Sequence, residues 1–101
     1  GIVTDFSLIG VPERYARLAE AMDLPIAGLS VVQSAQMCAD RTKELIEQLK
    51  IPSLSELGVS KEKLEPVVHK MTEDAIASGS PGNNPRKATK EEIVDLYFKA
   101  L

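Results

Sequence analysis

Tryptophan is absent from this 101-residue chain, and Phe and Tyr supply only two residues each. Aromatic packing therefore cannot organise a core, although 44% of the residues are apolar. The core must come from Leu, Ile, Val, Ala and Met, and a chain of this length is expected to form one domain. Cys38 is the single cysteine, which excludes an internal disulfide and fits a reducing, cytoplasmic compartment. The single histidine, His69, excludes a metal site built from several histidines of this chain. Positive charge is also short: 12 basic residues against 15 acidic ones give a net charge of −3. Nothing in that balance draws the chain to a phosphate backbone, so nucleic acid is not an expected partner. No apolar run approaches the roughly 18 residues of a membrane span. A basic segment leading into an apolar stretch, the mark of a secretory signal, is missing too. The first residue is Gly and not Met, and we expect a processed chain or a piece of a longer one.

What is present is helical periodicity. Residues 1–10 are apolar without a clear period, and we expect the end of a helix or loop that packs on further chain. Residues 12–22 read as a helix with Pro12 in its first turn, and Tyr15, Leu18, Ala19 and Met22 form its apolar stripe. Pro25 and Gly28 break the pattern. The longest helix is expected over residues 30–50, with Ser30 as its N-cap. Val31, Ala35, Cys38, Thr42, Leu45 and Leu49 recur there at helical spacing, widened by Val32, Ala39 and Ile46, and Pro52 ends it. Ser53 and Glu56 have capping-box spacing and predict one short helical turn before Gly58. A turn starting at Ser60 leads into a helix over residues 64–77, with Pro66 in its first turn and a face of Leu64, Val67, Val68, Met71 and Ala75. Residues 78–87 hold Gly79, Pro81, Gly82, Asn83, Asn84 and Pro85, and cannot be regular. Thr89 and Glu92 form a capping box for the last helix, with Ala88 and Ile93 at the staple positions. Ile93, Val94, Tyr97, Ala100 and Leu101 make its buried face. The sum is an all-α bundle of about five helices with irregular connections.

Few residues offer chemistry. His69 falls roughly opposite the apolar stripe of its helix and reads as a solvated or interface residue, since a metal site needs three or four converging ligands. Cys38 lies on an apolar stripe and reads as an inert core thiol. The acidic pairs Glu73/Asp74 and Glu91/Glu92 sit near helix ends and read as helix electrostatics. Arg86, Lys87 and Lys90 read as a solvated helix start, and no basic recognition helix is present. The loop over residues 78–86 is of another kind. It mixes permissive and rigid backbone and contains more special residues than a plain connector needs. Two readings stay open for it: an elaborate surface turn, or a loop presenting backbone groups to a cleft.

Three segments carry a resemblance to a known family. Pro12-Glu13-Arg14-Tyr15-Ala16-Arg17-Leu18-Ala19-Glu20-Ala21-Met22 is the first, and Ile51-Pro52-Ser53-Leu54-Ser55-Glu56-Leu57-Gly58-Val59 is the second. Asn84-Pro85-Arg86, then Thr89-Lys90-Glu91-Glu92-Ile93, is the third. Their order and spacing resemble the C-terminal part of the helical domain in the iron-containing (group III, metal-dependent) alcohol dehydrogenases. The implied fold is a fragment of the dehydroquinate synthase-like helical domain over residues 1–101. The resemblance implies a parent enzyme with NAD(P) on an N-terminal α/β domain and Fe(II), or Zn(II), on one Asp and three His. The implied reaction interconverts a small alcohol with its aldehyde or ketone by hydride transfer, with the metal as Lewis acid. Those ligand motifs and the glycine-rich nucleotide loop lie upstream in the family, so no residue of this chain is assigned to metal or cofactor, and none is catalytic. By position, Ser80 would face the substrate pocket with Pro81 and Gly82 beside it. Asn84 and Arg86 would brace the loop.

The implied partners are the remainder of the same enzyme and further copies of it, with no membrane. An isolated fragment of that enzyme is expected to be inactive and to show a ragged apolar face. A free-standing helical interaction module, the competing expectation, would be a closed monomer with a polar surface. A polyol dehydrogenase of the same superfamily is a third, and the Asn-Pro-Arg ending argues against it.

Overall fold

A computed structural model describes all 101 residues. It contains six α-helices, one 3-10 turn and no strand. The helices are α1 (Ile2–Leu8), α2 (Pro12–Ala21), α3 (Val31–Gln48), α4 (Lys61–Leu64), α5 (Val68–Ala77) and α6 (Lys90–Lys99). No helix is long and apolar enough to cross a membrane. The contacts divide the chain into two compact units, Gly1–Ile51 and Pro52–Leu101.

In the first unit, the segment expected to be a helix end or loop is helical, as α1. Its Ser7 and Leu8 are buried while Val3 and Ile9 are exposed. Pro12 starts α2, where its missing N–H costs nothing. Ser30 caps α3 through a complete capping box: its hydroxyl accepts from the Gln33 N–H at 3.2 Å, and the Ser30 N–H donates to Gln33 Oε1 at 2.9 Å. The α2–α3 contact forms the core of the unit. Ala19, Ala35 and Ala39 are fully buried in this unit, together with Cys38. Small side chains let two helices approach closely, which suits a chain poor in aromatics. The predicted α2 stripe is buried only in part, because Leu18 and Met22 stay exposed. An ion pair between Lys43 and Asp5, at 2.9 Å, ties α3 to α1. Both side chains are well exposed, so the pair adds at most about 1 kcal/mol.

The second unit departs from expectation around α5. Ser53 and Glu56 do exchange both capping bonds, at 3.0 and 3.2 Å. They open the single turn expected there, with the Leu57 N–H on the Ser53 carbonyl at 3.2 Å, and it is closed at Gly58 with φ of 87°. The helix expected from residue 64 is interrupted. Leu64 ends α4, and α5 begins only at Val68. Pro66 lacks the N–H that would continue the ladder, and its ring crowds the carbonyl four residues back. The chain crosses this point on a tight turn, with the Val67 N–H donating to the Leu64 carbonyl at 3.1 Å. The buried side chains are Leu64, Val68, Thr72 and Ile93, with Ala75 half-buried. Met71 and Val67, expected inside, are exposed.

Thr72 is the odd member of that core. It is fully buried, and its hydroxyl has no hydrogen-bond partner. A buried hydroxyl without a partner costs about 1–3 kcal/mol, whereas removing it at constant shape costs little. Thr72→Val is therefore expected to leave stability unchanged or raise it by up to about 1 kcal/mol. Urea unfolding monitored by circular dichroism measures this, and a loss of stability larger than that gain would mean the hydroxyl is paired.

Candidate functional site

The loop between α5 and α6 is held in one shape by its own side chains. It leaves α5 through Ser78, whose hydroxyl donates to the Ala75 carbonyl at 2.6 Å and accepts from the Ser80 N–H at 3.3 Å. Gly79 then takes a left-handed conformation, with φ of 77° and ψ of −8°, which a side chain would strain. Residues Ser80–Asn83 form a single 3-10 turn, although the sequence predicts no regular structure there. Pro81 suits it, since its fixed φ fits the start of such a turn. The turn closes through the Gly82 N–H on the Gly79 carbonyl at 3.1 Å and the Asn84 N–H on the Pro81 carbonyl at 3.3 Å.

Side chains beyond the turn anchor it. The Asn84 side-chain amide donates to the Arg86 carbonyl at 2.5 Å. The half-buried Arg86 guanidinium pairs with Glu92 Oε1 at 3.2 Å. The other Glu92 oxygen accepts the Thr89 N–H at 2.8 Å, while the Thr89 hydroxyl accepts the Glu92 N–H at 3.2 Å. One carboxylate thus both caps α6 and holds the loop's arginine. Lys90 reaches back from α6 to Glu73 on α5 at 2.9 Å. That hydrogen bond, and then the ammonium charge, hold the Glu73 carboxyl below its ordinary range.

On this frame Ser80 and Gly82 are exposed and Pro81 is half-buried, as are Asn84 and Arg86. Sequence reasoning missed Lys87. It reads as part of a solvated basic run, but its ammonium donates to the Gly82 carbonyl inside the loop. No sequence signal marks a bond from a flexible lysine to a main-chain carbonyl. The other chemistry-bearing residues stand elsewhere. His69 is exposed. Cys38 is buried, with its Sγ 3.9 Å from Met22 Sδ, and burial pushes its thiol up and away from the reactive thiolate. No three His, Cys, Asp or Glu side chains come together in a way that would hold a metal. The acidic pairs are engaged through Glu73 with Lys90, Asp74 with Lys70, and Glu92 as above. The loop offers a small exposed surface, with its Ser78 hydroxyl and Lys87 ammonium bonded to main-chain carbonyls.

Residues 2–101 match the model of the Fe-containing alcohol dehydrogenase family, C-terminal. The chain is 35% identical over 100 residues to the 1,3-propanediol dehydrogenase of Klebsiella pneumoniae, covering 98% of this chain and 25% of that protein. It is 31% identical over 100 residues to the NAD-dependent methanol dehydrogenase of Bacillus methanolicus, again covering 98% and 25%. Against the choline dehydrogenase of Bacillus subtilis (strain 168) the identity is 28% over 101 residues, covering 100% and 24%. A crystal structure of 1,3-propanediol oxidoreductase superposes with a TM-score of 0.86 at 33% identity, covering 99% of this chain and 25% of that one. The chain thus spans about a quarter of the length of the relatives it matches.

Proposed function

The chain belongs to the Fe-containing alcohol dehydrogenase family, and from that premise we propose that it is the C-terminal helical portion of a longer NAD(P)- and metal-dependent alcohol dehydrogenase. The observation that carries this reading is the match of residues 2–101 to the family's C-terminal model, at about a quarter of its relatives' length. The complete enzyme interconverts an alcohol with its aldehyde or ketone by hydride transfer in the cytoplasm, as a homo-oligomer, with no nucleic-acid or membrane partner. Its Fe(II) or Zn(II) would polarise the reacting oxygen. The residues of this chain do not fit that metal: they offer one exposed histidine and no ligand cluster. On this reading metal and nicotinamide are held by other parts of the polypeptide.

What this chain contributes is one wall of the substrate pocket. Ser80, Pro81 and Gly82 face the alcohol, on a turn that Ser78, Lys87 and the Asn84–Arg86–Glu92 chain of bonds hold still. A fixed wall orients the alcohol without moving a proton itself. The exposure of Val32, Leu49 and Leu57, all above 60%, favours this reading over a closed interaction module, which would turn a polar surface outward.

Two measurements test the reading. Metal analysis and alcohol-dependent NAD(P) reduction are run on the 101-residue chain and on the complete enzyme. Neither metal nor activity is expected in the chain, and both in the complete enzyme; one tightly bound Fe or Zn per 101-residue chain would refute it. In the complete enzyme, Ser80→Leu is expected to lower kcat/KM by roughly tenfold or more, the scale of a misfitted pocket contact, with metal content unchanged. Unaltered kinetics would remove Ser80 from the pocket.

A further inference from the structure

Between Ser78 and Ala88 the chain carries two cationic side chains, Arg86 and Lys87, and no acidic one. Their charges are handled differently. The Arg86 guanidinium pairs with Glu92 Oε1 at 3.2 Å, so a carboxylate offsets it where it stands. Lys87 enters none of the chain's ion pairs. Its ammonium donates instead to the Gly82 carbonyl, a neutral group that fixes a positive charge without cancelling it. The neighbouring lysines are matched, Lys90 with Glu73 and Lys70 with Asp74. Glu91 is exposed on the first turn of α6 and makes no pair with Lys87.

The bond to Gly82 also sets where the charge lies. It holds the ammonium beside the turn Ser80–Asn83. The Cβ side of Gly82 is open, with nothing within 4 Å of a Cβ placed there. A molecule resting on Ser80, Pro81 or Gly82 therefore lies within about 6–8 Å of an uncancelled positive charge, a hydrogen bond and a contact distance away.

We propose that Lys87 sets the charge selectivity of this wall, which favours neutral alcohols over those with a cationic group near the hydroxyl. The proposal rests on the reading of Ser80, Pro81 and Gly82 as the wall that meets the alcohol. Lys87 is a specificity residue: it acts through its charge and moves no proton. It is exposed, so water moderates the repulsion, and unit charges about 6 Å apart in such surroundings change binding by roughly three- to tenfold.

Choline and 3,3-dimethylbutan-1-ol test this on the complete enzyme. The two have the same shape, and only choline is charged, at every pH. Their dissociation constants are measured by ligand-observed NMR titration with the wild type, Lys87→Met and Lys87→Arg. The readout is the ratio of the two constants, from which any general loosening of the turn cancels. Lys87→Met is expected to shift that ratio toward choline by about three- to tenfold, while Lys87→Arg leaves it within about twofold of the wild type. Salt at about 1 M is expected to move the wild-type ratio the same way as Lys87→Met does, since the screening length falls to about 3 Å. That titration uses the unaltered enzyme, so it reports even where a variant misfolds. A ratio that neither salt nor Lys87→Met moves overturns the proposal, as does choline that binds neither the wild type nor Lys87→Met. Equal weakening of both ligands in Lys87→Met would make Lys87 a brace for the turn and overturns it too. Alcohol-dependent NAD(P) reduction is read separately, so a failure of the dehydrogenase reading is not mistaken for a failure of this one.

Discussion

Leu64→Ala is expected to lower the unfolding free energy of the second unit by about 2–5 kcal/mol, the range for truncating a buried leucine. Leu64 is 3% exposed and is the only buried leucine between Pro52 and Leu101. It closes α4, a helix of four residues. A single turn cannot sustain itself, because the entropy of fixing its backbone exceeds the return from its few hydrogen bonds. α4 therefore stands on tertiary burial, and Leu64 supplies it. Truncation removes the transfer energy of the side chain and leaves a cavity in the core of the unit that neighbouring helices fill only in part. Leu57, at 65% exposure, is the control, and Leu57→Ala is expected to change stability by less than about 0.5 kcal/mol. Urea unfolding monitored by far-UV circular dichroism compares the two. Equal effects would mean that Leu64 does not hold α4.

Ala39→Leu carries the second large effect, with an expected loss of about 1–3 kcal/mol from overpacking. Ala39 is fully buried on α3, whose main partner in the first unit is α2. Ala19 on α2 and Ala35 one turn earlier are fully buried as well. Ala39 has no exposed surface, so a leucine's extra atoms cannot turn to solvent, and the helices separate or the leucine leaves its rotamer. The opposite change at an exposed site is its counterpart: in the 101-residue chain, Leu49→Ala is expected to cost less than about 0.5 kcal/mol, since Leu49 is 62% exposed. Hydrophobicity alone predicts the reverse order. A neutral Ala39→Leu beside a costly Leu49→Ala, in thermal or urea melts, would show that the exposed end of the α3 stripe and not the α2–α3 contact holds the unit.

The helix starts are the most legible features. Ser30 and Thr89 cap α3 and α6 as their positions predict, because a cap depends on residues within four of one another. Ser53 and Glu56 show the limit. Both of their reciprocal bonds form over a single turn that goes no further, since a cap satisfies the first N–H groups but does not supply the burial a longer helix needs. Pro66 reads in the sequence as a helix start, and the structure places it as a break. The same residue suits both, and what precedes it decides: a helix has already begun after Ser60, and Pro66 cannot continue it. In the candidate site, the composition of residues 78–87 marks an unusual loop. Its internal bonds, from Lys87 to Gly82 and from Arg86 to Glu92, depend on which rotamers the folded backbone permits.

The helical class, the caps, most of the breaks and the family motifs can all be read from the chain itself, because each is set by residues close in sequence or by their spacing. Which apolar residues lie inside is settled by packing. Periodicity places Val31, Ala35, Cys38, Leu45 and Leu49 on one stripe, but burial requires something to lie on that stripe. Here α2 is short enough to cover its centre and leave its ends open. The same holds for α5, where Thr72 is buried and Met71 is exposed. The turn at Pro66 resets where α5 starts, and the partner helix selects the face.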